Sequence, residues 1–443
     1  MVLCRTAWRR FRRSRSPILS ISSSSPFLRS GMPMASSWSL GGLAAKLGLS
    51  TARPGSQPRA FPSESFDAIG KDQLVEEETM PEYKSEHFYP VRLGEVFNDR
   101  FQTLAKLGYG SSSTIWLLVT FTLKIYIHNS VRHRELPFYN HLNTILPSHH
   151  PGANNVRKLL GSFDIIGPHG KHIALALQVS QMSLRDLDTV FMKGRGFDEE
   201  FVKGAIRELL EALDFLHTEV QAVHTDVHPG NLLLGLNDDS LFRKLEENEL
   251  SHPVPRKQLA DRTIYLSRLM KPKVGPLLLS DFGEARIRPG LHAGDIMPIM
   301  YRAPETLLWI QWSYPVDIWS VGLTRLLSLL ACSRHGISLK VFLFSARKED
   351  GSFSDGVHFA ELIAALGPPP SELLDRHRNR ALEYWDENGK WGDFVSIPAK
   401  NLEAAETKLE DNTRFLQFIR RALTWDPKER PTARELLQDP WLI

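Results

Sequence analysis

The chain has 443 residues, of which 42% are hydrophobic and 24% charged, which is typical of a globular protein with a sizeable core. Its two cysteines, Cys4 and Cys332, lie far apart and match no metal-ligand spacing, which favours a reducing intracellular compartment over a disulfide framework. No apolar run approaches the length of a membrane span, so we expect a soluble protein with no membrane partner.

Charge is distributed unevenly along the chain. The first 63 residues contain ten Arg or Lys and no Asp or Glu, which leaves 44 basic and 51 acidic residues in the rest. An acidic body favours basic substrates, although an ordinary solvated surface accounts for the same count. Residues 1–85 are rich in Arg, Ser, Pro and Gly and are predicted to form a disordered tail. An acid-free, Arg- and Ser-rich N-terminus is also typical of a mitochondrial presequence, so both interpretations stay open.

The first predicted elements after the tail are a strand, a Gly-rich turn and a second strand. Gly108 and Gly110 let the backbone approach phosphate oxygens, although a Gly-x-Gly pair also occurs in simple hairpin turns. The next strand, at 121–127, places Lys124 between apolar neighbours, where a lysine needs an acidic partner. Glu135 on the following predicted helix is the nearest candidate. The alternative is a lysine that protects an edge strand.

Helical periodicity begins after a polar link at residues 180–183. Asp198 is a candidate N-cap for a helix whose apolar positions recur on one face from Phe201 to Leu216. The change from strands to helices predicts an α+β fold, with a small strand-rich lobe at 86–181 and a larger, mainly helical lobe at 182–443. We expect a cleft between the two lobes.

The predicted helix leads into a loop at 223–234 that reads V-H-T-D-V-H-P-G-N-L-L-L. Asp226 is suited to accept the proton of a substrate hydroxyl, and Asn231 to hold a metal ion beside phosphates. Small-molecule phosphotransferases carry a similar loop, and Asp and Asn are also common loop residues. Asp281 ends a later apolar strand, where a carboxylate can bind Mg²⁺.

Together these motifs resemble those of the eukaryotic protein kinases, from about residue 90 to the C-terminus. The matching positions are the Gly-rich turn at 108–113, Lys124, Glu135, His224, Asp226, Asn231, D-F-G at 281–283, A-P-E at 303–305, Asp317, Trp319 and Arg430. Within that superfamily the chain resembles the SR-protein kinases, particularly their fungal members. The shared features are L-G-Y-G-S-S-S-T, H-T-D in place of H-R-D, D-F-G-E-A-R, and an insert at about 235–275.

The resemblance implies a role for each matched residue. The residues implied to surround ATP are Leu107, Gly108, Gly110, Ser113 and Lys124, with Lys124 also paired to Glu135. Asp226 is implied to be the catalytic base, and Asn231 and Asp281 the Mg²⁺ ligands. Two further roles are structural: Asp317 braces the catalytic loop through backbone hydrogen bonds, and Glu305 pairs with Arg430.

By the same resemblance, the chain is expected to be a serine/threonine protein kinase that phosphorylates Ser in Arg/Ser-rich proteins and acts in mRNA splicing. We expect a monomer of the cytoplasm and nucleus without direct nucleic-acid contact. Thr225 stands where many kinases have an Arg that meets a phosphorylated activation-loop residue, and positions 281–305 contain no Ser or Thr. Activity is therefore expected to be independent of phosphorylation in that segment.

Three departures from the kinase pattern keep other functions open. The connection between Gly110 and Lys124 is short, residues 325–340 interrupt a predicted core helix, and His228 replaces a lysine. The first two would also result from errors in the gene model. A pseudokinase scaffold is one alternative function. A small-molecule phosphotransferase is the other, although Ala-Pro-Glu at 303–305 and Arg430 argue against it.

Overall fold

The computed structural model describes residues 58–62, 64–99, 101–119, 121–128, 130, 134–238, 240–269, 271–324, 344–392, 394–399, 401–405 and 412–443. The chain divides into two compact units. Of the described residues, unit 1 contains those up to 128 together with 160–176 and 248–267, and unit 2 contains those within 129–159, 177–247 and 268–443. The interrupted helix predicted at 325–340 lies outside the described residues, as do residues 1–57 of the predicted tail.

Strands dominate unit 1 and helices dominate unit 2, as the predicted α+β fold requires. The strands are β1 Val96–Phe97, β2 Phe101–Tyr109, β3 Ser113–Leu118, β4 Thr122–Tyr126, β5 Leu159–Gly167, β6 Gly170–Leu177, β7 Ala222–Val223, β8 Leu232–Leu234, β9 Arg256–Gln258, β10 Thr263–Tyr265, β11 Leu277–Leu279 and β12 Arg286–Ile287. The α-helices are α1 Glu135–Ile145, α2 Leu184–Asp186, α3 Glu199–Phe215, α4 Ser240–Ser251, α5 Pro304–Leu307, α6 Pro315–Leu323, α7 Asp355–Leu366, α8 Ser371–Asp375, α9 Arg378–Ala381, α10 Leu402–Ala405, α11 Asn412–Ala422 and α12 Ala433–Leu436.

The main sheet of the described residues has the order β1-β2-β3-β4-β6-β5. Strands β3 and β4 are antiparallel, and the backbone N–H of Leu118 donates to the Phe121 oxygen at 2.9 Å across the turn. The short connection noted in the sequence is thus a tight hairpin, and the pairing continues without a gap from Leu117↔Thr122 to Ser113↔Tyr126. The short loop is therefore compatible with a continuous β3–β4 ladder.

The last part of the predicted tail is ordered, so the boundary predicted at residue 85 is wrong. Residues Glu76–Thr79 form a 3₁₀ helix, and Glu77 is buried in an ion pair with Lys106 of β2. Disorder was predicted for 1–85 from its content of Arg, Ser, Pro and Gly. Here the acidic run instead provides the countercharges that buried lysines of unit 1 require.

Part of the insert at about 235–275 also departs from its predicted place in the larger lobe. Residues 248–267 belong to unit 1, where β9 and β10 form an antiparallel hairpin. Lys257 Nζ lies 2.9 Å from Glu78 Oε1, and Arg262 donates to the backbone oxygens of Ser85 and Phe88. These contacts join the insert to the segment that precedes β1, a pairing that local sequence patterns do not reveal.

Helix α3 forms much of the core of unit 2. Its predicted N-cap is confirmed, because Asp198 Oδ1 accepts a hydrogen bond from the Phe201 N–H at 2.8 Å. The apolar face from Val202 to Leu213 is buried, whereas Phe201 is only partly buried. A 3₁₀ helix at Pro151–Asn154 packs against α3 at Gly152, where an added Cβ would lie 1.8 Å from the Glu211 oxygen. Only glycine permits this approach.

Candidate active site

The loop between β7 and β8 in unit 2 holds Asp226 and Asn231. The Asn231 amide donates to the Asp226 backbone oxygen at 2.9 Å and to Asp226 Oδ2 at 3.3 Å. The other carboxylate oxygen, Asp226 Oδ1, is buried and has no hydrogen-bond partner among the described residues. One oxygen of Asp226 is thus held by the loop, while the other accepts no hydrogen bond from the described residues.

Asn231 and Asp281 are brought together by the pairing of β8 with β11. Leu232 pairs with Leu279 at the end of this antiparallel ladder. Asn231, which precedes Leu232, and Ser280, which follows Leu279, therefore lie next to each other. The Ser280 N–H and hydroxyl donate to the Asn231 backbone oxygen at 2.9 and 3.0 Å. Asp281 comes next and adopts a left-handed backbone conformation with φ of 65°.

These two residues supply an amide oxygen and a carboxylate, which are the hard ligands that Mg²⁺ prefers. No group of three or more His, Cys, Asp or Glu suited to a metal ion occurs within the described ranges. Mg²⁺ in phosphoryl-transfer sites is usually held by one or two carboxylates together with substrate phosphates. The donor set therefore fits an ion that binds with its nucleotide.

The loop is braced by Asp317 of α6, as predicted. Asp317 is fully buried, and its two oxygens accept the backbone N–H groups of His224 and Thr225, each at 2.8 Å. His217 Nε2 lies 2.9 Å from Asp317 Oδ2 and completes the set of partners. Sequence motifs did not identify His217, because its contact depends on how the residues directly after α3 pack against α6.

His224 is held as a neutral ring. Its Nδ1 accepts the Asp226 N–H at 3.2 Å, so Nε2 carries the proton and donates to the Ser280 oxygen at 3.2 Å. Burial lowers the pKa of His224, outweighing the opposite effect of the Asp317 and Asp226 carboxylates. The imidazole therefore links the Asp226 loop to the end of β11 without adding charge.

A stack of aromatic rings joins α1 to the segment after Asp281. The rings of Phe138 and Phe282 are stacked, with centroids 4.1 Å apart and planes 7° apart, and Tyr139 meets Phe282 edge-on. Glu135 begins the same helix and is buried.

Burial lowers the pKa of the nearby Arg157, while Tyr139, Glu135 and Asp281 act in the opposite direction. Local sequence patterns revealed neither the stack nor Arg157.

The segment after Asp281 is tied to the catalytic loop directly. The Thr225 hydroxyl donates to the Glu284 backbone oxygen at 2.8 Å, and Arg286 of β12 pairs with Val223 of β7. The Glu284 carboxylate lies 3.2 Å from the guanidinium of Arg134. Neutral and charged partners already present in the chain thus order the start of this segment.

His228 lies beside the Asp226 carboxylate. Its Nδ1 accepts the Gly230 N–H at 3.0 Å, which leaves Nε2 to carry the proton of the neutral ring. Nε2 lies 3.7 Å from Asp226 Oδ2. The imidazole therefore presents an N–H where the kinase pattern has a lysine ammonium.

The predicted nucleotide-binding residues lie in unit 1. The Gly-rich turn is closed by a hydrogen bond from the Gly110 N–H to the Ser113 oxygen at 2.8 Å, and no atom lies within 4 Å of a Cβ added at Gly108. Leu107 is half-buried and Ser113 is buried. Lys124 is buried in β4, an interior strand, so the alternative of an edge-strand lysine is wrong. Its ion pair with Glu135 stays a prediction.

The predicted pair of Glu305 and Arg430 is confirmed. Both side chains are fully buried, and the guanidinium makes two hydrogen bonds of 2.7 Å to the carboxylate. Arg430 also donates to the Thr424 and Trp425 backbone oxygens. A buried ion pair is tolerated here because its hydrogen-bonding groups are satisfied.

The protein kinase domain family matches residues 101–442. The chain belongs to this family. The kinase is 40% identical over 401 residues to a serine/threonine protein kinase of Aspergillus fumigatus, covering 88% of this chain and 96% of that protein. It therefore belongs with the serine/threonine protein kinases, which use ATP and a divalent metal to phosphorylate proteins.

More distant relatives of the kinase include the serine/threonine-protein kinase SRPK of Physarum polycephalum, 28% identical over 83% of this chain and 91% of that protein. The human dual specificity protein kinase CLK1 is 24% identical over 79% of this chain and 67% of that protein. A crystal structure of a kinase domain matches with a TM-score of 0.61 at 22% identity, covering 81% of this chain and 100% of that one. No helix within the described part of the kinase is long and apolar enough to cross a membrane.

Proposed function

We propose that this kinase transfers the γ-phosphoryl group of ATP to serine in Arg/Ser-rich proteins and thereby acts in mRNA splicing. The observation that carries the phosphoryl-transfer part is Asp226, whose Oδ2 is held by Asn231 while the buried Oδ1 accepts no hydrogen bond from the described residues. In the proposed reaction, the Asp226 carboxylate accepts the proton of the attacking serine hydroxyl.

The remaining roles in this proposal are those that the kinase motifs imply. Asn231 and Asp281 would hold Mg²⁺, and the ion would supply positive charge beside the transferring phosphoryl group. Lys124 would contact the α- and β-phosphates, as the kinase motifs imply. His228 donates its Nε2 proton toward the reacting oxygens, and Asp317 keeps the backbone of the loop fixed, so that alignment needs little reorganisation during the reaction.

The substrate class is supported by charge and by similarity. Outside the first 63 residues the chain carries 44 basic and 51 acidic residues, which is compatible with a basic substrate. The relatives at lower identity include a protein named SRPK, and the resemblance of the motifs points to the same group. An Arg/Ser repeat offers both the hydroxyl that Asp226 requires and the positive charge that an acidic surface attracts.

The test is transfer of labelled γ-phosphate from ATP–Mg²⁺ to an Arg/Ser-repeat peptide, with Asp226→Ala as the inactive control. Two further peptides separate the contributions of sequence: an Arg/Ala repeat lacks the acceptor, and a Gly/Ser repeat lacks the charge. We expect transfer to the Arg/Ser peptide only. Equal transfer to the Gly/Ser peptide would contradict the substrate class, and no transfer by a folded wild type would support the pseudokinase alternative.

A further inference from the structure

A buried lysine lies at the entrance to the Gly-rich turn. Lys106 is in β2, directly before Leu107 and Gly108, and its side chain is fully inaccessible to solvent. Its Nζ forms an ion pair with Glu77 and lies 3.5 Å from Glu76 Oε2. Because a buried ammonium is strongly unfavourable without countercharge, the two carboxylates are required for this part of β2 to pack.

The strand register shows which side of the sheet these carboxylates cover. Lys106 pairs with Trp116, and Trp116 pairs with Leu123, so these three residues share one face. Lys124 pairs with Ile115 and therefore lies on the opposite face. The acidic residues thus hold the β2–β3 hairpin from the side away from Lys124.

Each residue of the run Glu76 to Glu78 has a different main partner. Glu77 binds Lys106 of the hairpin, and Glu78 Oε1 accepts a hydrogen bond from Lys257 of the insert at 2.9 Å. The Glu76 carboxylate accepts the N–H and hydroxyl of Ser267 at 2.9 and 2.6 Å. The run is therefore fastened to the insert at both ends and to the hairpin in the middle.

The insert also contacts the hairpin itself. The ring of Tyr265 in β10 meets Trp116 edge-on with centroids 5.8 Å apart. The pairing of β2 with β3 is irregular between Lys106 and Gly108, so the strand has a bulge immediately before the Gly-rich turn. The position of the turn thus depends on how firmly the strand is held on its Lys106 side.

We propose that Glu76–Glu78 form a clamp, anchored on the insert, that positions the Gly-rich turn for nucleotide and so sets the affinity for ATP. Glu77 and Lys106 are positioning residues that touch neither nucleotide nor substrate. This inference rests on the proposed function, because it assumes that the turn binds ATP. A loosened clamp weakens ATP binding while leaving the geometry of the Asp226 loop unchanged.

The experiment measures the dissociation constant of ATP–Mg²⁺ by calorimetry, together with KM for ATP and kcat. For Glu77→Gln we expect the dissociation constant of ATP–Mg²⁺ and the KM for ATP each to rise about tenfold. We expect kcat at saturating ATP to stay within about twofold of wild type. Adding Lys106→Met removes the uncompensated charge and is expected to bring the dissociation constant back within about threefold of wild type. The matched control is Lys171→Met, since Lys171 forms an exposed ion pair with Asp164 at 3.0 Å on the same unit.

A folded Glu77→Gln variant that binds ATP as tightly as wild type would overturn the proposal. If that variant fails to fold, the substitute is Ser267→Ala, which loosens Glu76 without leaving a buried charge. For this variant we expect the dissociation constant of ATP–Mg²⁺ to rise two- to threefold. An unchanged dissociation constant for Ser267→Ala would then overturn the proposal. Calorimetry needs no phosphate transfer, so a wrong substrate class leaves this test intact, whereas a wild type that does not bind ATP would overturn the clamp and the proposed kinase activity together.

Discussion

The imidazole of His228 gives the site weaker electrostatics than a lysine would. Because Nδ1 accepts the Gly230 N–H, the neutral ring can donate only through Nε2, which lies 3.7 Å from Asp226 Oδ2. An ammonium here would neutralise charge that develops on the transferring phosphoryl group. We expect His228→Lys to raise kcat by roughly fivefold with KM for ATP unchanged, measured by steady-state kinetics. A fall in kcat would indicate that the imidazole has a role that lysine cannot replace.

Asp317 is the residue whose loss should disturb the loop most. Its oxygens accept the N–H groups of His224 and Thr225, and an amide nitrogen in place of one oxygen would oppose a backbone donor. We expect Asp317→Asn to lower kcat about a hundredfold and the free energy of unfolding by roughly 2 kcal/mol, read from kinetics and urea unfolding. Normal kcat in this variant would show that the loop keeps its conformation without the brace.

At the scale of residues, the sequence was informative wherever a role depends on identity and spacing. It placed Asp226 and Asn231 in one loop and Asp281 at the end of an apolar strand, and the pairing of β8 with β11 brings Asn231 and Asp281 together. It did not reveal His217 or Arg157, because a histidine near a helix end and an arginine before a strand have no distinguishing local pattern. Their contacts arise only when distant elements pack.

At the scale of elements, the start of the activation segment is ordered without phosphate. The Thr225 hydroxyl bonds to the Glu284 oxygen, and β12 pairs with β7. We therefore expect phosphatase treatment to leave kcat within about twofold, and Thr225→Ala to lower it because about 1 kcal/mol of hydrogen bonding is lost. The control is Thr189→Ala, whose exposed hydroxyl donates to the Arg185 oxygen at 2.8 Å. A restoring phosphosite between Asp281 and Glu305 would contradict this account.

The contact between the Pro151–Asn154 helix and α3 predicts opposite effects for two glycines. Gly152→Ala places Cβ 1.8 Å from the Glu211 backbone oxygen, so we expect a loss of about 2 kcal/mol or more in unfolding free energy. Gly204 lies within α3 with nothing within 4 Å of an added Cβ, and Gly204→Ala should stabilise by about 0.5–1 kcal/mol. Thermal unfolding of both variants is the measurement. Equal changes in unfolding temperature for the two variants would show that α3 moves to accommodate the methyl group added at Gly152.

Elements with strong periodicity were predictable, and those that depend on charge pairing were not. Helix α3 follows its apolar face and its Asp198 cap. The helix at Glu76–Thr79 is part of an acidic run that reads as solvated chain until Lys106 and Lys257 are seen to lie beside it. A buried ion pair between segments 29 residues apart leaves no periodic signal.

Buried histidines make the free energy of unfolding depend on pH. Burial lowers the pKa of His358 from 6.5 to about 4, and the neutral ring contacts the Arg302 oxygen at 3.2 Å. Between pH 6.5 and pH 4 the His358 ring is protonated in the unfolded chain but stays neutral in the folded protein. The contribution of His358 to the free energy of unfolding is therefore complete above pH 6.5 and is lost as the pH falls toward 4. The loss from His358 is up to about 3 kcal/mol, and His224 acts in the same direction.

The check is the urea midpoint measured between pH 7 and pH 4 for wild type and His358→Gln. We expect the wild-type midpoint to fall steeply across this range and the variant to show a shallower slope, because glutamine does not titrate. The variant starts from a lower stability at pH 7, so the slopes rather than the absolute midpoints are compared. Parallel slopes would contradict the assignment of this pH dependence to His358.

Unit 1 is assembled from three stretches of chain, the last of which ends at residue 267. Glu78 in the first stretch pairs with Lys257, and the Ser85 backbone oxygen accepts a hydrogen bond from Arg262. On the ribosome, these partners emerge only after the loop that contains Asp226 has been made. Unit 1 therefore cannot complete these contacts until more than half of the chain has been synthesised, although it contains the first residues made. A nascent chain that stops before Lys257 carries Glu78 without its countercharge.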